Sequence, residues 1–301
     1  MYRSVLVLIV IFIIVSLFTA CIMPTDKVAI ISLNGTIQIG RGNMFLGGAV
    51  ITPDEVRGYF KRAENDPFVK AIVLRINSPG GDPSACEEIV SSLSRVKKPV
   101  VVSMRTIATS GGYYISAKAD KIVALATTQT GSIGVITQIP DLSGLFDKVG
   151  IKMEILKAGK YKDMYAGMRP LTEEEKSLIQ GITDQLYDRF INVVAEGRHM
   201  DKQRVRELAN GQIYTGLQAK ELGLVDEIGD IQKAIDMAAE LAGIKSPQVE
   251  FYEKPSMDFL SILTNLNSGD TYSIVTNKLL GVEDSIAVKL IDNPYPVYLY
   301  R

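Results

Sequence analysis

The chain has 301 residues, with 33 basic and 34 acidic side chains and a formal net charge of −1. No dominant basic patch stands out along it, which argues against a nucleic-acid partner. Two cysteines and one histidine supply neither a disulfide framework nor a zinc ligand set, and no residue pattern asks for a cofactor.

From Val5 to Met23 there is no charged residue, and Val5–Val15 is continuously apolar. At about 1.5 Å per residue, such a segment comes close to the roughly 30 Å hydrocarbon core of a bilayer. Residues 5–23 therefore read as a single-pass signal anchor, with residues 1–4 in the cytoplasm. Arg3 and the α-amino group precede the segment, while Asp26 and Lys27 cancel after it, and positive charge is retained inside. Two other readings stay open. One is a cleaved secretory peptide; the other is a lipoprotein-type processing site at Leu17-Phe18-Thr19-Ala20-Cys21, with Cys21 lipidated. All three put the body of the protein at the cell membrane, on the extracytoplasmic side.

Residues 24–245 form the predicted main domain. Val28–Leu33 reads as a buried strand ended by Asn34-Gly35. Thr52-Pro53-Asp54-Glu55 opens a helix, combining an N-cap, a proline at the first position and a capping-box acid. Ala71–Asn77 is a second strand and runs into Ser78-Pro79-Gly80-Gly81-Asp82; Pro83 then starts a helix to about Arg95, which contains Cys86. A third strand, Val100–Met104, leads to Ala108-Thr109-Ser110-Gly111-Gly112 and a helix through Ala119. Ile122–Leu125 is a fourth strand, before a loop at Thr130-Gly131-Ser132-Ile133-Gly134. Continuous Val/Ile/Leu strands separated by helices imply an α/β domain of parallel β-α-β crossovers, with both sheet faces covered. Both glycine-rich turns fall at carboxyl ends of strands, where such folds place their sites.

Beyond Thr172 a helix of some 25 residues carries Leu178, Ile182, Leu186, Phe190 and Val194, read as one core-facing stripe. Shorter helices are expected over residues 201–208, 216–221 and 230–241. Residues 246–301 make a tail of weak periodicity and unassigned role, and its proline-punctuated end, Asn293–Tyr300, is expected to be extended.

Ser110 carries the candidate chemistry. At the start of a helix it meets free N–H groups and the positive end of the dipole, and the N–H of Gly111 can donate to an oxyanion. Asn77-Ser78-Pro79-Gly80-Gly81 ends the preceding strand, so its backbone N–H groups can lie beside Ser110 as a second donor. The plainer reading is an N-cap serine in a β-α turn. A serine hydroxyl is a weak nucleophile and needs a base. His199 lies in the polar junction Glu196–Asp201 and reads as an exposed loop residue, which disfavours a Ser/His/Asp triad. Lysine is then the candidate base, and Lys157, Lys160 and Lys162 share one glycine-containing segment. Spacing does not select among them, and a solvated charge run is the plainer reading. A lysine at its ordinary pKa of about 10.4 is charged at neutral pH, so a base needs burial without a counter-carboxylate; Asp163 is adjacent to Lys162.

Asn77-Ser78-Pro79-Gly80-Gly81, the block Ser110–Ser116, Thr130–Gly134, Tyr161-Lys162-Asp163, Gly211–Ala219 and Leu222–Asp226 together resemble the signal peptide peptidase A family. They do so in unbroken order over about residues 27–243, and the length is similar to the short, single-domain members. The resemblance implies a Clp/crotonase-like fold: β-α-β repeats with a mainly parallel sheet flanked by helices, preceded by one N-terminal transmembrane helix. It implies a membrane-anchored serine endopeptidase that hydrolyses apolar peptides such as cleaved signal peptides, without a cofactor. By the same resemblance Ser110 is the nucleophile, Lys162 the general base, Ser132 the residue that orients the lysine, and Gly81 and Gly111 the oxyanion donors. A homo-oligomeric ring, in which neighbouring subunits complete each site, is also implied. The alternatives are a protease of stomatin-like membrane-scaffold proteins and a non-catalytic peptide-binding membrane scaffold. An acyl-CoA enzyme of crotonase type is disfavoured by the export segment and by serine and lysine in place of carboxylates.

Overall fold

The computed structural model describes residues 25–40, 49–252 and the strand Val297–Leu299. The segment read as a membrane anchor, Cys21 and most of the tail lie outside the described residues. Among the described residues, no helix is long and apolar enough to cross a membrane.

In chain order the elements are β1 (Lys27–Asn34), β2 (Thr36–Ile37), β3 (Val50–Ile51), α1 (Pro53–Asn65), β4 (Val69–Ser78), α2 (Pro83–Leu93), β5 (Val100–Thr109), α3 (Gly111–Ser116), β6 (Lys121–Ala124) and β7 (Gln129–Gly131). There follow β8 (Ile136–Gln138), α4 (Ser143–Lys148), α5 (Glu173–Arg198), α6 (Lys202–Leu208), β9 (Ile213–Thr215), α7 (Gly216–Glu221), β10 (Glu227–Ile228), α8 (Ile231–Ala242), β11 (Gln248–Tyr252) and β12 (Val297–Leu299). The main sheet runs β10-β6-β5-β4-β1-β11, and every neighbouring pair along it is parallel. This is the mainly parallel, helix-flanked α/β architecture expected from the sequence.

Alternation along the strands explains why they read as continuous apolar runs. Ala29, Ile31, Ile72, Leu74, Val100, Val102 and Ile122 face a core that includes Val56, Phe60, Ile89, Tyr114 and Phe190. Their neighbours Val28, Ile30, Ala71, Val73, Val101 and Val123 face the opposite side, against Ala234, Ile235 and Ala238 of α8. Both faces are dry, so neither parity is polar.

Four details depart from the expectation. Strand β5 continues past Met104 to Thr109: Val101–Met104 pair with β6, and Ile107–Thr109 then pair with β7. Arg105 and Thr106 between them are exposed, and this polar gap is what looks like a strand end. The Thr130–Gly134 loop begins inside β7, which pairs in parallel with β5 and antiparallel with β9. Helix α3 stops at Ser116 because its end tightens into i→i+3 bonds, Lys118 N to Ile115 O (3.3 Å) and Ala119 N to Ser116 O (3.1 Å). In α5, Phe190 and Val194 are buried while Leu178 and Ile182 are exposed. A four-residue spacing drifts about 40° per step around a 3.6-residue helix, so Leu178 and Val194 lie some 160° apart.

Two stretches of the tail are placed. Strand β11 pairs in parallel with β1, and its Tyr252 is fully buried, with the Arg62 guanidinium 3.9 Å over the ring centre. Strand β12 pairs antiparallel with β8, Tyr298 opposite Thr137.

Candidate active site

Strand β5 ends at Thr109 and α3 begins at Gly111, so Ser110 alone makes the turn. It has φ 53° and ψ −118°, a positive φ that few non-glycine residues adopt. Although it occupies the N-cap position, its side chain caps nothing. Its Oγ is buried without a hydrogen-bond partner. The N-cap reading of Ser110 is therefore excluded: a capping serine has extended backbone and an occupied hydroxyl. The backbone is pinned from both sides, by Ser110 N to Gly131 O (2.8 Å) and Tyr114 N to Ser110 O (2.8 Å).

The seat beneath Ser110 is rigid. The Tyr113 hydroxyl donates to the Leu224 carbonyl (2.9 Å) and Ser116 Oγ to the Gly112 carbonyl (2.7 Å). Tyr114 donates to Glu87, which Arg189 also holds, and its ring meets Phe190 edge-on at 5.1 Å.

The Ser78–Asp82 turn packs against this start of α3. Thr109 Oγ1 donates to the Pro79 carbonyl (3.1 Å) and Gly80 N to Ser78 Oγ (3.1 Å). Gly81 forms a parallel bridge to Ile37. The bridge uses the Gly80 carbonyl (Ile37 N, 2.9 Å) and the Asp82 N–H (to Ile37 O, 2.8 Å), so the N–H of Gly81 takes no part in it. A Cβ on Gly81 would stand 1.9 Å from Ile37 O. One on Gly111 would stand 2.6 Å from Cys86 Sγ and 3.2 Å from Gly81 N. The two glycines thus lie side by side, and neither has room for a side chain; Gly111 directly follows Ser110 in the chain. Cys86, expected in a helix and outside any disulfide framework, is free and buried in α2 behind Gly111.

Ser132 follows β7 immediately, with φ 48° and its N–H on Gln212 O (2.7 Å). Since β7 pairs with the last residues of β5, Ser132 and Ser110 leave adjacent strand ends.

The three lysines differ in their partners. Lys157 Nζ bonds Asp163, and Lys160 Nζ bonds Glu174. Lys162 is exposed in a run of turns, where its N–H bonds the Gly159 carbonyl at 3.3 Å. No ion pair or side-chain hydrogen bond engages it among the described residues, and none joins it to Ser110 Oγ. Asp163, the adjacent acid, is turned inward onto Arg169 and Lys157, and these contacts hold its carboxyl well below the usual carboxylate range. Arg169 was not singled out from sequence; the hint available there was an arginine between two acids, Asp163 and Glu175, ahead of a helix start. His199 is exposed and ends α5 in a left-handed conformation, φ 52°.

The sequence profile of peptidase family S49 matches residues 92–245. Three relatives place the chain further. An Enterococcus faecium protein, provisionally named a signal peptide peptidase SppA, is 36% identical over 281 residues, covering 91% of this chain and 81% of its own. A Synechocystis protein, provisionally named a protease, is 36% identical over 282 residues, covering 91% of this chain and 96% of its own. Protease 4 of Haemophilus influenzae is 34% identical over 247 residues, or 79% of this chain and 39% of that longer protein.

Proposed function

The chain belongs to peptidase family S49 and is a serine peptidase, and from that premise we propose a membrane-anchored endopeptidase with a Ser110/Lys162 dyad that cuts apolar peptides such as cleaved signal peptides. One observation carries the nucleophile assignment: Ser110 holds a strained backbone and a buried, unbonded hydroxyl directly before Gly111, which packs against Gly81. Neither strain nor an orphaned hydroxyl serves the fold, and both serve a nucleophile.

In this reading neutral Lys162 takes the Ser110 proton as Oγ attacks the peptide carbonyl. The N–H groups of Gly81 and Gly111 hold the oxyanion, and protonated Lys162 then donates to the leaving amine. Water attacks the acyl-enzyme and restores Ser110. Ser132, at the adjacent strand end, orients the lysine. Lys162 is favoured over its neighbours because Lys157 and Lys160 are each engaged by a carboxylate.

Lys162 sits on a segment that is largely unpacked in the single chain. Between β8 and α5, Leu145, Val149, Ile151, Met153 and Leu156 are all exposed, the last by 90%, and α4 buries no residue. We assign this apolar arm to contact with a second copy of the chain in a homo-oligomeric ring, so that Lys162 of one copy serves Ser110 of its neighbour. The residues before Lys27 then tether the ring to the membrane, with its catalytic body outside the cytoplasm.

The test is cleavage of a fluorogenic apolar peptide by the full-length protein in detergent, with fluorophosphonate labelling of the serine. Ser110→Ala is expected to lose labelling and turnover, and Lys162→Ala to lose turnover with its oligomer intact. Turnover retained in Lys162→Ala and lost in Lys160→Ala would overturn the base assignment; an unlabelled wild-type oligomer would favour the peptide-binding scaffold.

A further inference from the structure

We infer that Arg169 is a positioning residue for Lys162: it ties the loop carrying the base to the head of α5 and holds the Asp163 carboxylate away from the Lys162 ammonium. The inference rests on the reading of Lys162 as the base.

Lys162 and Asp163 are adjacent in sequence and opposite in environment. Lys162 is exposed, whereas Asp163 is only 8% exposed. Asp163 receives two bonds from one guanidinium, Arg169 Nε to Oδ2 and Nη2 to Oδ1, both at 3.0 Å. The same guanidinium reaches Glu175 through Nη1 to Oε2 (2.9 Å) and Nη2 to Oε1 (2.7 Å). Glu175 is 3% exposed. It completes the capping box of α5, accepting from Thr172 N at 2.9 Å while its own N–H bonds Thr172 Oγ1 at 3.2 Å. A planar fork bridging two buried carboxylates is a task for arginine that a lysine point charge does not reproduce.

The surrounding charges are already committed. Lys157 adds a third contact to Asp163. Across on α5, Glu174 takes both Lys160 and the Tyr161 hydroxyl, and Glu173 pairs with Lys176 (2.7 Å). Between residues 157 and 169, Lys162 is the cation with no carboxylate partner among the described residues.

A base must shed its proton, and a carboxylate within roughly 4–6 Å favours the charged ammonium. Arg169 engages the carboxylate next to Lys162 in sequence, that of Asp163. Its hydrogen bonds also depress Glu175, to about 2. Carboxyls depressed in this way stabilise the folded state above their unfolded values near 4 and lose that contribution as pH falls through the folded ones. The clamp therefore stays complete across neutral and mildly acidic pH, and its own titration does not shape the activity profile there.

The experiment compares pH profiles of kcat/KM on a fluorogenic apolar peptide for full-length wild type, Arg169→Gln, Arg169→Lys and Asp163→Asn/Arg169→Gln. Arg169→Gln is expected to lower kcat about 10- to 100-fold with a smaller change in KM, and to move the acid limb up by about one pH unit. The double variant should return the limb to its wild-type position while kcat stays low. Arg169→Lys, keeping a cation beside Asp163, should hold the limb and lose rate. A lowered rate with an unmoved limb in Arg169→Gln would overturn the inference and leave a merely structural arginine. If Arg169→Gln fails to assemble, Asp163→Asn decides: with the Arg169 cation no longer paired to Asp163, an acid limb moved down supports the inference, and an unmoved limb overturns it. Lys162→Ala, run alongside, separates the two failures. Turnover retained there removes the base assignment itself; turnover lost there, with the limb unmoved in Arg169→Gln, removes only the role of Arg169.

Discussion

At Ser110 the polypeptide accepts a backbone conformation that costs about 1–3 kcal/mol in a non-glycine residue, and it does so between two glycines that allow no side chain. Gly111 is the more instructive of the pair. Gly111→Ala would press a methyl against Cys86 Sγ and toward Gly81 N, separating the two proposed oxyanion donors. Its kcat should fall by about 10²–10³, the usual effect of losing one donor. Adding Cys86→Ala should recover the melting temperature without restoring kcat, because the contact with Gly81 remains; full recovery of kcat would show that donor spacing is not limiting. The turns that hold Ser110, Gly81 and Gly111 were legible in the sequence because glycine-rich turns after apolar strands carry their own conformational signature, while the roles proposed for these residues came from the family resemblance. Arg169 was not. Its partners lie six residues away on either side, across a stretch of irregular backbone, so which acid meets which cation is decided by the tertiary path of the chain.

Among the elements, the long buried strands were readable from composition, while their ends and faces were not. Strand β5 crosses a polar gap because its partner changes from β6 to β7 there, an event that depends on pairing rather than on propensity. The α5 stripe failed for a geometric reason, the accumulated drift of a four-residue spacing. The short strand β8, which pairs with β12 in a separate two-stranded sheet, leads to a functional expectation. Val297–Leu299 pair with β8 antiparallel, a few residues beyond Ser132, in the manner by which extended peptides pair with an exposed strand. Deleting Asn293–Arg301 should free this strand and lower KM for apolar peptides by about two- to tenfold in steady-state assays. Unchanged rates and KM would show that the tail does not compete with substrate.

For the whole molecule, the apolar arm and the unengaged Lys162 lead to a mixing experiment. Ser110→Ala and Lys162→Ala chains are each expected to be inactive. Unfolded together and reassembled, they should recover up to about a quarter of wild-type activity, the share of sites that pair an intact serine with an intact lysine at random. No recovery from well-formed mixed oligomers would place both groups in one chain. The proposed ring came from the family resemblance, since nothing in local periodicity says that Leu145 or Leu156 will stay bare. The proposed sharing of Ser110 and Lys162 between copies has a further consequence for the cell. A site divided between copies is latent while chains are scarce, and its output rises more steeply than the amount of protein made. On that proposal a newly made chain carries no hydrolytic hazard for its neighbours, and local crowding serves as the switch.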